Sequence, residues 1–180
     1  VVLNTDVNAG IFNLYQWRTN SVYDPDYTNV GHQPYFRDQI APLYRYYLVL
    51  GAKFRLKLIN NTTGGIVLLA VTISPTGDAP PTGYDYLCEI PYTKRLTLNG
   101  SQSKPTFYNR YVDNAATITV PKQAYITDAA YLTSTGTNPA ILTTYNLSYA
   151  TPFNGAVAFM VNLQIDYWVV YSSQIIQAQS

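Results

Sequence analysis

Lys53, Arg55 and Lys57 stand at every second position of a run whose other members are Ala52, Phe54, Leu56 and Leu58. A β-strand sends successive side chains to opposite faces, so period two gives this strand one basic face and one apolar face. Three cations in file can lie along a phosphate backbone, and nearby tyrosines offer flat rings to unpaired bases. Arg45 and Arg110, together with Lys94, Arg95 and Lys104, extend the ridge if their strands lie beside it. The plain alternative is the solvated outer face of a sheet.

Other chemistry is thin. Nucleophilic catalysis needs a base beside the nucleophile, most often histidine. The chain has 1 histidine, His32, set in the turn Gly31-His32-Gln33-Pro34, and no G-x-S-x-G elbow. The acids Asp24, Asp26, Asp78, Asp85, Glu89 and Asp113 are scattered, which argues against the paired carboxylates of a glycosidase. Asp166 interrupts an apolar strand and reads as a sheet-face residue or an arginine's partner. Asp24-Pro25-Asp26 could offer oxygens to calcium, but EF-hand spacing is absent. Asn61 to Gly65 has no following Lys-Ser/Thr to make a phosphate loop. With 1 cysteine, Cys88, there is neither an intrachain disulfide nor a His/Cys zinc set. The sequons at Asn60, Asn61, Asn99 and Asn146 matter only in a secretory compartment. No catalytic residue, metal or cofactor is expected.

The elements that must position the ridge are strands. No stretch of a dozen residues keeps an i, i+3, i+4, i+7 apolar pattern; short helical turns are expected only at Arg37–Leu43 and Lys122–Tyr131. Strands are expected at 11–17, 44–59, 66–73, 94–98, 106–112, 117–120, 141–149 and 156–171. The stretch from Ser74 to Gly83, with Pro75, Pro80 and Pro81, must be a surface loop. Many strands, long unequal loops and no βαβ alternation give an all-β fold: a single eight-stranded antiparallel jelly-roll sandwich over residues 1–180. The last strand, long and apolar, belongs in the middle of a sheet.

Composition adds a second theme. Charged residues are 12% of the chain, against roughly a quarter in an average protein, and 18 residues are tyrosine. Tyrosine buries a ring while keeping a polar tip, which suits interfaces. Such a chain reads as one that lives against copies of itself. No apolar run approaches the ~20 residues of a membrane helix. Net charge is only +1, from 11 Lys and Arg against 10 Asp and Glu. Neutralising a genome takes many cations. The start at Val1 rather than methionine therefore leads us to expect an Arg/Lys-rich arm upstream.

The string Gly31-His32-Gln33-Pro34-Tyr35, the Asp38-Gln39 pair, and Leu43-Tyr44 leading to Tyr47, Val49 and Gly51-Ala52-Lys53 resemble the capsid proteins of circular Rep-encoding single-stranded DNA viruses, the circovirus-like agents. The likeness is strong over 31–60. Elsewhere it is carried by the order of elements: a Lys-led strand at Lys94, a Tyr- and Asn-Pro-containing region from Asp128 to Pro139, and a long aromatic last strand. The resemblance implies a non-enzymatic jelly-roll subunit, a small icosahedral T=1 shell of about sixty copies, and a circular single-stranded DNA genome bound mainly through the basic arm. It also implies residence in the virion and, during assembly, in the host nucleus. On this reading Lys53, Arg55, Lys57, Arg45 and Arg110 face the lumen and touch nucleic acid. A jelly-roll carbohydrate-binding module or adhesin, and the coat of a small RNA satellite virus, are the competing readings.

Overall fold

Alternation along the basic-faced run decides which of its side chains face the core. A computed structural model describes residues 1–29, 31–100 and 104–175. Its strands are β1 (Val2–Asn4), β2 (Asn13–Arg18), β3 (Tyr44–Asn60), β4 (Ile66–Ser74), β5 (Lys94–Asn99), β6 (Thr106–Asp113), β7 (Thr133–Ser134), β8 (Thr144–Ala150) and β9 (Ala158–Gln174). One sheet runs β1-β9-β3-β6, with β7 added beside β3; the other runs β2-β8-β4-β5. All the pairings are antiparallel. The chain crosses between sheets at nearly every connection, and its last two long strands lie inside the pairs made by the first ones. That nested order is the jelly roll, as expected.

β3 and β9, each of 17 residues, lie side by side along almost their whole length. Phe54, Leu56 and Leu58 are at most 1% exposed, facing Val67, Leu69, Val71, Tyr145 and Leu147 of the opposing sheet. The Phe54 ring stacks nearly parallel on that of Tyr145, with centroids 4.2 Å apart. Trp17 and Tyr15 of β2, on the same inward parity, close one end of this core.

Two expectations change. The stretch Thr117–Val120 is no strand: a short helix (Asn114–Thr117) ends there, its start capped by the Asp113 carboxylate, which accepts the Ala116 N–H at 3.1 Å. Ile118 and Val120 then pack over Leu48, Ala115 and Tyr125. Their alternation serves a cover on the sheet, not a strand in it. The eighth main strand is β1, three residues whose Leu3 is buried. The expected helical turns do form, at Arg37–Ile40 with a 3-10 turn to Leu43, and at Lys122–Thr127 with another at Ala129–Tyr131. A further helix, Tyr84–Glu89, follows that proline-rich loop and packs on β4 through the fully buried Leu87.

β3 carries one irregularity. The register shifts between Val49 and Gly51, so Leu50 is an extra residue opposite β9. Before the shift Tyr47 and Val49 face the core side, packing on Val22, and Leu48 faces the other side. After it Ala52, Phe54 and Leu56 face the core. A bulge reverses parity.

Truncating Phe54→Ala should cost about 3–5 kcal/mol in urea unfolding, because both ring burial and the stack are lost. Alkali tests the buried phenols. Burial, then the Asp26 carboxylate that accepts the Tyr15 hydroxyl at 2.7 Å, pushes Tyr15 up to about 12, and burial does the same to Tyr47. Both titrate at 10.0 when unperturbed, so the folded state favours their neutral forms. Their contribution is whole below pH 10 and fades as pH climbs towards about 12. Unfolding midpoints at pH 9, 10 and 11 should be level and then fall.

Candidate nucleic-acid interface

Three adjacent strands build the ridge. Lys53 sits between Tyr111 of β6 and Asp166 of β9, Arg55 between Asn109 and Gln164, and Lys57 between Phe107 and Asn162. Directly opposite residues point to the same side of a sheet. These nine side chains therefore share the outer face of the first sheet, away from the core. The residues between them on β3 are the buried ones, so the period-two reading of 52–58 holds residue by residue.

The charges on this face are not equivalent. The Arg55 guanidinium meets the Asp166 carboxylate at 2.6 Å, and Gln164 donates to the same carboxylate at 3.1 Å. Asp166 is thus an arginine's partner on the sheet face. The Lys57 ammonium lies 6.0 Å from the Phe107 ring centroid, within cation–π reach. Lys53 and Lys57 have no ion-pair partner among the described residues. Counting Asp166, the strip carries two net positive charges.

Not every expected cation belongs here. Arg110 is opposite Phe54 and so takes the inward side of the sheet, at the β6 edge. There it lines a groove with Ile90, Pro91 and Tyr92. Its charge opposes the rise that burial imposes on the Tyr145 phenol. Arg45 would share the Lys53 face by counting twos, but the extra residue at Leu50 moves it to the parity of Tyr47 and Val49. It is exposed near the start of β3, about 26 Å along the strand from Lys53. Lys94 and Arg95 lie on β5, the edge of the other sheet, and Lys104 precedes β6. Lys53, Arg55 and Lys57 come together; Arg45 and Arg110 stay apart from them.

What the ridge does gain is aromatic. Trp168 and Tyr111 meet edge to face with centroids 5.4 Å apart, 47% and 51% exposed, and Phe107 is 67% exposed. Trp168 is opposite Gly51. A Cβ on Gly51 would come within 2.5 Å of the Tyr111 hydroxyl and 2.7 Å of the Val112 carbonyl, so glycine lets the Tyr111 ring lie across the strand. The signal for these rings was in the sequence. Phe107, Asn109 and Tyr111 share one parity, and Asn162, Gln164, Asp166 and Trp168 another, each marked as outward by its polar members.

The other candidates are spoken for. Arg18 binds the Asp24 carboxylate at 3.1 Å and donates to the carbonyls of Asp24 and Asp26, each at 2.7 Å. The Asp26 carboxylate accepts from Tyr15 and from Thr28. These oxygens tie a loop to β2 through Arg18, Tyr15 and Thr28. Among the described residues no group of three His, Cys, Asp or Glu side chains could hold a metal ion, and no helix is long and apolar enough to cross a membrane. His32 is exposed in its turn.

No protein-family model matches the chain, and no curated protein sequence is significantly similar to it. Among solved structures it is similar to a chain of the human norovirus GI.7 Houston strain VLP in T=3 symmetry, with TM-score 0.53 and 9% identity, over 99% of this chain and 32% of that one. That likeness concerns the fold. Two further alignments are to sacbrood virus of honeybee in expansion state II (TM-score 0.48, 15% identity, 99% of this chain and 96% of the other) and to Desmodium yellow mottle tymovirus (0.42, 12%, 100% and 91%).

Replacing Asp166→Asn should free Arg55 to meet a phosphate. The pair is about a third exposed, so stability should change by less than about 1 kcal/mol. Affinity for a single-stranded oligonucleotide should rise, and the slope of log K against log salt should steepen by about 0.7. Anisotropy titrations at several salt concentrations measure both.

Proposed function

We propose that this chain is a structural subunit of a virus capsid, not an enzyme. On this reading it self-assembles into a T=1 shell of about sixty copies around circular single-stranded DNA, as in the circovirus-like agents it resembles. The observation that carries the reading is a jelly roll, with a capsid likeness in fold, whose outer sheet face holds Lys53, Arg55 and Lys57 in one file. A lumen facing nucleic acid calls for cations, and an exterior does not. β1 lies at the edge of the same sheet as the file, so a basic arm ahead of Val1 would leave from that sheet's edge. The segment 74–93, with its short helix, and the loop 99–105 then serve the outside or the symmetry contacts; residues 101–103 lie outside the described residues. Assembly follows import into the host nucleus, and the mature protein resides in the virion.

The bare aromatic rings on this face also suit sugars, which keeps the carbohydrate-binding module as a second reading. Oligomeric state separates the two. Sixty copies of 20.1 kDa give a particle of about 1.2 MDa before any arm is added. Purified protein should elute as such particles; a soluble monomer with glycan affinity would favour the module. Substituting Lys53, Arg55 and Lys57 together by Gln should lower the nucleic acid recovered per particle, read from the 260/280 nm ratio, and leave shells intact. Unchanged nucleic acid content would count against the lumenal placement.

A further inference from the structure

The ridge is bounded at both ends by half-exposed or exposed aromatic rings. At one end Trp168 and Tyr111 form their edge-to-face pair over Gly51, and at the other Phe107 stands in solvent beside Lys57. Between them are two lysines without ion-pair partners among the described residues and the amide side chains of Asn109, Asn162 and Gln164. Large apolar rings gathered on an exposed face, with cations between them, mark a contact surface. The charge selects an anionic partner and the rings select one with flat faces. Nucleobases stack on rings, phosphates meet ammonium groups, and amides can bond base edges.

Geometry selects unpaired bases. A duplex hides the faces of its bases against one another, so it could use the lysines but not the rings. From Gly51 to Lys57 the face measures about 20 Å along β3. That suits about four nucleotides, the lower end of the site sizes of single-strand-binding folds. Arg55, held by Asp166, sits in the middle as a neutral pair.

We propose that this face binds single-stranded nucleic acid by stacking bases on Trp168 and Tyr111 and on Phe107, with Lys53 and Lys57 on the intervening phosphates. The proposal rests on the capsid reading and deepens it: the shell wall, and not the arm alone, holds unpaired bases.

The test uses unassembled subunits with three probes: an oligothymidylate, an abasic deoxyribose-phosphate oligomer of equal length, and a duplex. The oligothymidylate should bind best and quench Trp168 fluorescence. Trp168→Ala and Phe107→Ala should each weaken its binding about 5- to 100-fold. Both should leave the abasic oligomer and the salt slope almost untouched. Changing Lys53 and Lys57 to Gln should instead flatten the salt slope by about 1.4. Equal affinity for thymidylate and abasic probes, tighter binding of the duplex, no binding at all, or ring variants that bind like the parent would each overturn the proposal. Shell formation is scored separately on the same preparations by size exclusion. Intact shells without base preference would sink this inference alone. Base preference without shells would leave the stacking face standing and remove the capsid reading.

Discussion

The pairing of β3 with β9 is the constraint on which everything else in the molecule hangs. It joins two strands of 17 residues in the middle of one sheet, from Tyr44 opposite Gln174 to Asn60 opposite Phe159. A slip of one residue would turn Phe54, Leu56 and Leu58 to solvent and drive Lys53, Arg55 and Lys57 into the core. Burying even one unpaired cation costs several kcal/mol, so the slipped register is closed. The charges agree with the core. Asp166 is directly opposite Lys53 and in contact with Arg55 only when the apolar set is also seated. One register satisfies both faces at once.

The bulge at Leu50 then divides this strand into two territories. On the Tyr47 side of it the outer face is apolar and roofed by the segment from Asn114 to Leu132. Asn114 fastens that roof: it accepts the Thr19 hydroxyl at 2.8 Å and donates to the carbonyls of Val49 and Thr19 at 2.9 and 3.2 Å. Tyr125 adds a hydroxyl donated to the same Val49 carbonyl at 3.0 Å. A bulge leaves backbone groups outside the regular ladder, and here two side chains of the roof bond the residue beside it. On the Lys53 side no such roof exists among the described residues. Gly51 sits at the border, where only hydrogen fits beneath Tyr111.

Most of the architecture was legible because period two is a strong signal when one face is buried. The ridge residues, the central place of the last strand and the jelly-roll class all follow from it. The differences have separate physical causes. Arg110 and Arg45 are expected on the ridge if their strands lie beside it, but a neighbouring strand is not enough, because side-chain direction follows parity. Parity was readable for Arg110, which alternates with Tyr111 and shares its face with Val112. It was not readable for Arg45, because a bulge leaves no mark in composition. The stretch Thr117–Val120 failed because a short alternating run can cover a sheet as well as join one. β1 escaped notice because three residues carry too little pattern, and its place is fixed only by β9.

Scale separates what the wall can do from what an arm must do. A shell's inner area grows as the square of its radius, and the volume it encloses as the cube. On the capsid reading, each subunit would offer the lumen two net positive charges on this face, from Lys53, Arg55 and Lys57 less Asp166. On that reading a filled lumen would outrun the charge its wall can supply, and most phosphates would need cations that reach inward. What a wall can do is order the layer of nucleic acid that touches it. For that, a few fixed rings with few charges serve better than many mobile lysines. Stacking orients a base, whereas a solvated ammonium only attracts a phosphate. A face with three cations, one of them neutralised, and three exposed rings has the composition of a docking layer, and would be a poor neutraliser.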